Sequence, residues 1–258
     1  MVAVALAGLA AGSINAVVGS GTLVTFPVLL AVGLPPVTAT ISNSLGLVPG
    51  GLTGVLGYRR ELRGQRRLLS TLFPASVLGA LTGAFLLLHL PASAFETIVP
   101  VLVALAVVLV AVQPLLQRRL AARRARDGVD EQAAQHIGPG RRAALLAAAY
   151  ATGTYGGYFA ASQGVLQIGI FGLLLRESLQ RLNAIKLVLT LAVNTVAALT
   201  YVVVATDRID WRAAGLVAGG SLVGGYVGST LGRRLPAPVL RAAIVVLGLV
   251  AITVLLSR

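Results

Sequence analysis

SVLGALTGAFLLLHLPASAF, from Ser76 to Phe95, is written a second time as SLVGGYVGSTLGRRLPAPVL, from Ser221 to Leu240. Small residues, glycines and the Leu-Pro corner stay in register, so the chain carries an internal repeat. The charges in the flanking loops are exchanged between the copies. In the first, the loop after Tyr58 holds Arg59, Arg60, Arg63, Arg66 and Arg67, whereas its counterpart from Asp207 to Arg212 is nearly neutral. Conversely, Gly33 to Pro36 and Leu90 to Ala94 carry no charge, while their equivalents hold Arg176 and Arg181, then Arg233 and Arg234. Lys and Arg stay on the cytoplasmic side of a membrane protein, so this exchange is what two oppositely inserted copies produce. The expected fold is all-α, a polytopic transmembrane bundle of two inverted-topology repeats, a plan that points to a transporter.

With 57% hydrophobic and 11% charged residues in 258, and a mean hydropathy of +0.89, the chain has more apolar surface than one soluble core needs. The runs Val37 to Gly57, Leu68 to Leu90, Ala94 to Leu116, Asn183 to Ala205, Ala213 to Leu231 and Val239 to Leu256 are candidate spans. Each is long enough to cross ~30 Å of hydrocarbon at ~1.5 Å per residue. A net charge of +13 raises the question of nucleic acid, but the arginines lie in short loops without interleaved aromatics, so no nucleic-acid partner is expected. The absence of cysteine excludes disulfides and thiolate metal sites. Residues Val2 to Gly12 lack the basic start of a signal peptide and are read as part of the fold.

Three units follow: a membrane repeat over 1–116, a polar linker over 117–141 and a second repeat over 142–258. The linker carries Arg118, Arg119, Arg123, Arg124 and Arg126, which place it in the cytoplasm. Each repeat opens on a broken segment, Val2 to Val32 and Ala143 to Leu175. As full spans these would make the copies parallel and leave Arg233 and Arg234 outside. As re-entrant hairpins followed by three spans, they make the copies antiparallel and bring every arginine-rich loop inside. The charges favour hairpins, with both chain ends extracytoplasmic. Gly79xxxGly83 and Gly224xxxGly228 permit close helix contact, either between the two halves or at a homodimer seam.

The breaks are where backbone groups at membrane depth remain free to bind a ligand. The first offers Asn15, Gly19, Ser20, Gly21 and Thr22; the second offers Ser162, Gln163 and Gly164, with Ser162 as a candidate N-cap. Two helix N-termini with unpaired N–H groups would converge there, a geometry that suits an anion. The alternative is that the glycines only allow helix crossing and the hydroxyls bond their own backbone. Lys186 lies about one turn inside its span and either completes the anion site or snorkels to the interface. Asn183 is a candidate helix cap, Asn194 sits deeper, and Ser42 and Asn43 are the neutral counterparts of Lys186 in the first copy.

Enzyme chemistry is poorly supported. His89 lies at a span end and His136 in the linker, too far from Ser20 for an intramembrane serine protease, and Glu61, Glu96, Glu177, Asp207 and Asp210 fall in loops or at helix ends. No cofactor and no metal are expected.

AGSINAVVGSGTLVTFPVLLAVGLPPVTAT (Ala11 to Thr40), the basic loop after Tyr58, GTYGGYFAASQG (Gly153 to Gly164) and RLNAIK (Arg181 to Lys186) together resemble the TauE/SafE family of sulfite exporters over nearly the whole chain. The resemblance implies a multi-pass carrier of the bacterial inner membrane for sulfite, organosulfonates or other small anions. It places the family's glycine-rich break at Gly19 to Gly21, its following proline at Pro27 and its Asn-Ala-x-Lys at Asn183 to Lys186. Ser20 and Thr22 depart from the run of glycines usual at that break. A non-transporting membrane scaffold is the competing reading.

Overall fold

In the computed structural model, the described residues are 1–127, 138–175 and 177–230, with isolated helical positions at 242, 245, 246, 249 and 252. Arg176, Arg233, Arg234, His136 and the bulk of the span from Val239 to Leu256 lie outside them. The described residues are all-α: α1 (Val2–Val17), α2 (Thr22–Ala31), α3 (Pro36–Gly57), α4 (Arg66–His89), α5 (Ala92–Asp127), α6 (Pro139–Tyr158), α7 (Gln163–Leu174), α8 (Leu179–Val204) and α9 (Trp211–Thr230), with a short 3₁₀ turn at Thr206–Arg208. Prolines set several boundaries, because a ring without an N–H costs no hydrogen bond in a first turn, although Pro27, Pro49, Pro74, Pro100 and Pro114 lie inside helices. Pro36 and Pro139 open α3 and α6, and α4 stops before Pro91.

Three of these helices are long and apolar enough to cross a bilayer by length and composition: Arg66–His89, Ser93–Ala122 and Leu179–Val204. The expected spans over α3 and α9, of 22 and 20 residues, are not among these three. One boundary differs from expectation. α5 does not end at Leu116 but runs through the first part of the linker to Asp127, because LLQRRLAARRARD is built of strong helix formers.

The helices form two parallel trios. A Cβ on Gly8 would lie 2.9 Å from Val217 Cα, and one on Gly12 the same distance from Ser221 Cα; Gly46 and Gly50 of α3 meet Val217 and Ser221 in the same order. Thus α1, α3 and α9 run one way. In the other trio, Gly153 and Gly157 of α6 face Ser76 and Ala80 of α4. α8 joins α6, with Tyr201 Oη donating to the carbonyl of Gly157 at 2.5 Å and Ile185 clustered with Leu145. α8 runs against α3, for Gly51 meets Leu191 while Gly54 meets Leu187. Both expected GxxxG faces are therefore used within the chain: Gly79 and Gly83 against α6, Gly224 and Gly228 against α1.

Both breaks fold back on themselves. Asn15 Oδ1 accepts the N–H of Gly21 at 2.9 Å, and a Cβ on Gly21 would lie 3.0 Å from the carbonyl carbon of Ala11, so α2 returns beside α1. Tyr155 Oη likewise donates to the carbonyl of Ala161 at 2.5 Å, and Phe171 and Leu175 at the end of α7 cluster with Leu145 near the start of α6. Gly19 (φ +90°), Ala160 (+65°) and Ser162 (+60°) make these reversals in left-handed backbone, which non-glycine residues seldom adopt.

Candidate functional site: two hairpin tips and a buried lysine

The tips meet main chain to main chain. The N–H of Gly164 donates to the carbonyl of Gly19 at 3.2 Å, and a Cβ on Gly164 would lie 2.8 Å from Gly19 Cα. Side chains there would push the hairpins apart. Over this junction lies Lys186, whose Cδ would be 3.2 Å and 2.8 Å from Cβ atoms added at Gly19 and Gly164. Its Nζ donates to the carbonyl of Asn15 at 2.9 Å, and the residue is 1% exposed. Lys186 is the eighth residue of α8, about two turns in rather than one, and it points into the bundle; it does not snorkel.

Asn183, one turn earlier, is not a cap. That role belongs to Ser178, which accepts from the N–H of Arg181 at 3.2 Å, while Asn183 Nδ2 donates to the carbonyl of Ala16 at 3.0 Å. Ser162 occupies the N-cap position of α7, yet its hydroxyl makes no capping bond and donates instead to the carbonyl of Ala106 at 3.2 Å. The glycine amides expected to be free are also used, Gly21 by Asn15 and Gly164 by Gly19. The positive charge offered at the tips is thus chiefly the lysine's.

Around it stand buried polar atoms without hydrogen-bond partners: Ser20 Oγ, Asn183 Oδ1, Asn194 Oδ1 and both amide atoms of Gln163. Gln163 is seated because Gly156 has no side chain, a Cβ there falling 2.7 Å from Gln163 Nε2. Thr22 and Asn43 sit behind the first tip, where Asn43 Nδ2 donates to Thr22 Oγ1 at 3.2 Å and Asn43 Oδ1 accepts from Thr25. Ser42 lies elsewhere. Its hydroxyl accepts the N–H of Asp210 at 3.0 Å, beside the 3₁₀ turn.

A cavity of about 10 Å³ adjoins the lysine, lined among others by Asn15, Gly50, Gly51, Lys186, Thr190 and Asn194. That is roughly the room of one water molecule. Phe26, Phe95 and Phe159 pack edge to face beyond the tips, with ring centroids 5.1 Å and 6.1 Å apart for the pairs made by Phe159. Tyr58 packs with Ala184 and Leu187, the latter lining the cavity.

The model for the sulfite exporter TauE/SafE family matches residues 4–255. The chain belongs to that family. It is a multi-pass membrane protein of a transporter family rather than of an enzyme class. It is similar to the probable membrane transporter protein YfcA of Escherichia coli K12, 27% identical over 229 residues, 87% of this chain and 76% of the relative. Shorter stretches are 30% identical to a probable membrane transporter protein of Haemophilus influenzae, covering 37% of this chain and 38% of the relative. Others are 33% identical to probable membrane transporter protein ORF9 of a Sinorhizobium species, covering 38% and 37%. No solved structure matches.

Several residues of this TauE/SafE chain that shape the site were not evident in its sequence. Gln113 of α5 donates to the carbonyl of Val18 at 3.3 Å, so one helix braces both tips. Thr190 and Gln167 form a bonded pair at 3.0 Å beside the cavity. A polar residue every fourth position from Lys186 was the available signal.

Proposed function

We propose that the protein is a secondary carrier of small anions, sulfite or organosulfonates among them, working by alternating access to the cavity at Lys186. The observation that carries this reading is a buried ammonium whose only hydrogen bond among the described residues is to one backbone carbonyl, with no carboxylate beside it. Such a charge at membrane depth is costly, and an anion relieves it.

Inverted-topology repeats, each a re-entrant hairpin plus three spans, are the scaffold in this reading. What supports them is direction: α1 and α3 run against α6 and α8, and α4 against α9. Position supports them too. Gln65 Nε2 donates to Glu177 Oε1 at 3.0 Å, Gly57 abuts Ser229, and Gly172 abuts Leu120, so the arginine-bearing ends gather on one face. By the positive-inside rule that face is cytoplasmic, in a bacterial inner membrane. A cavity of water size beside Lys186 is the site between its two open states in this scheme.

Reconstitution into proteoliposomes tests it. Wild-type protein should give saturable sulfite or organosulfonate flux, and Lys186→Gln should lower it about thirtyfold or more, as loss of one member of a buried charge pair does. Absence of flux for every anion offered, or undiminished flux in Lys186→Gln, would leave a non-transporting scaffold as the better reading.

A further inference from the structure

Lys186 is not the only polar side chain that α8 presents to the cavity. Thr190 and Asn194 follow at intervals of four, so they share its face at about 6 Å and 12 Å along the axis. Opposite them stand Gly50 and Gly51 of α3, where a Cβ on Gly51 would lie 3.1 Å from Leu191 Cδ1. Gly51 thus packs directly on α8, while Gly50 turns toward Ser221 of α9.

The hydrogen bonding along this strip has a definite polarity. Thr190 spends its hydroxyl proton on Gln167 Oε1 at 3.0 Å, so what it can offer a ligand is a lone pair. Asn194 is 3% exposed, and its Oδ1 has no donor. Two neutral hydrogen-bonding side chains therefore lie along the cavity from one cation. A buried acceptor left without a donor is penalised, and a ligand hydroxyl removes that penalty at either position. A second carboxylate on the ligand would instead face two like-signed dipoles.

Building on the anion-carrier reading, we infer that Thr190 and Asn194 form a neutral subsite, distinct from Lys186, that selects anions bearing a hydroxyl remote from the charged group. A compact oxyanion at the lysine does not extend along α8 to Asn194; a hydroxylated organic anion does. Gln167 is a positioning residue here, acting only through Thr190.

Counterflow in proteoliposomes tests this with three probes: sulfite, ethanesulfonate and 2-hydroxyethanesulfonate. Wild-type protein should prefer the hydroxylated sulfonate over ethanesulfonate about tenfold or more in apparent affinity, the usual discrimination of a site built to bond a hydroxyl. Asn194→Leu should abolish that preference, read within the variant as the ratio of apparent affinities for 2-hydroxyethanesulfonate and ethanesulfonate, and Thr190→Val should reduce it. Asn194→Ala, carried in parallel with melting curves for each variant, covers the case in which leucine disturbs packing. A wild-type protein that carries all three anions without preference overturns the subsite alone, as does an Asn194→Ala variant that weakens the three equally. A protein that carries none overturns both the subsite and the carrier reading.

Discussion

The carbonyl oxygen of Gly19 accepts the backbone N–H of Gly164 across 3.2 Å, and the aliphatic stem of Lys186 lies over the pair. Contact this close tolerates no Cβ, since one on Gly164 would fall 2.8 Å from both Gly19 Cα and Lys186 Cδ. Gly164→Ala should therefore destabilise the purified protein by about 1–3 kcal/mol through overpacking. Gly219→Ala, at a helical position with nothing within 4 Å of the added carbon, should stay within about 0.5 kcal/mol of wild type. Thermal melting in detergent checks the pair, and equal effects would contradict the close approach.

Anion binding at the lysine should appear as ligand-dependent stability. Sulfite at about 100 times its dissociation constant should stabilise wild-type protein by about 2.7 kcal/mol, by mass action. Lys186→Met keeps the length of the stem and removes the charge, so its melting temperature should not respond to sulfite. A full response in that variant would place the anion elsewhere.

Glu177 is 6% exposed and shares its carboxylate between Gln65 Nε2 at 3.0 Å and Arg181 at 3.4 Å. Gln65→Ala strips one oxygen of its donor, leaving a buried acceptor of a charged group unpaired. The expected loss is about 1–3 kcal/mol, visible as a lower melting temperature. Gln65→Glu, which sets two carboxylates together, should be worse than alanine at neutral pH.

Topology is open to direct labelling because the chain has no native cysteine. Ser93→Cys, at the junction of α4 and α5, should react with an impermeant maleimide added outside intact cells. Arg63→Cys should react only after the membrane is opened. The reverse pattern would reject the assignment of the arginine-rich face to the cytoplasm.

Much of this arrangement was legible because lipid imposes few solutions. Glycines at intervals of four announce a close contact, so a tight face could be read from Gly79 and Gly83. What such glycines do not state is their partner. Gly8 and Gly12 on α1 and Gly153 and Gly157 on α6 turned out to be the surfaces they meet. Side-chain hydroxyls were less legible still. Ser162 holds a cap position and bonds α5, and Ser42 resembles a site residue yet reaches Asp210, because a hydroxyl takes whichever acceptor or donor the tertiary fold brings nearest. Left-handed backbone at Ala160 and Ser162 had no glycine to mark it.

Each trio of parallel helices draws on both halves of the chain: α9 completes α1 and α3, while α4 completes α6 and α8. Neither half holds a finished trio. A gene divided in the linker should accordingly give two polypeptides that degrade when made singly and survive when made together, each lending the other its missing third.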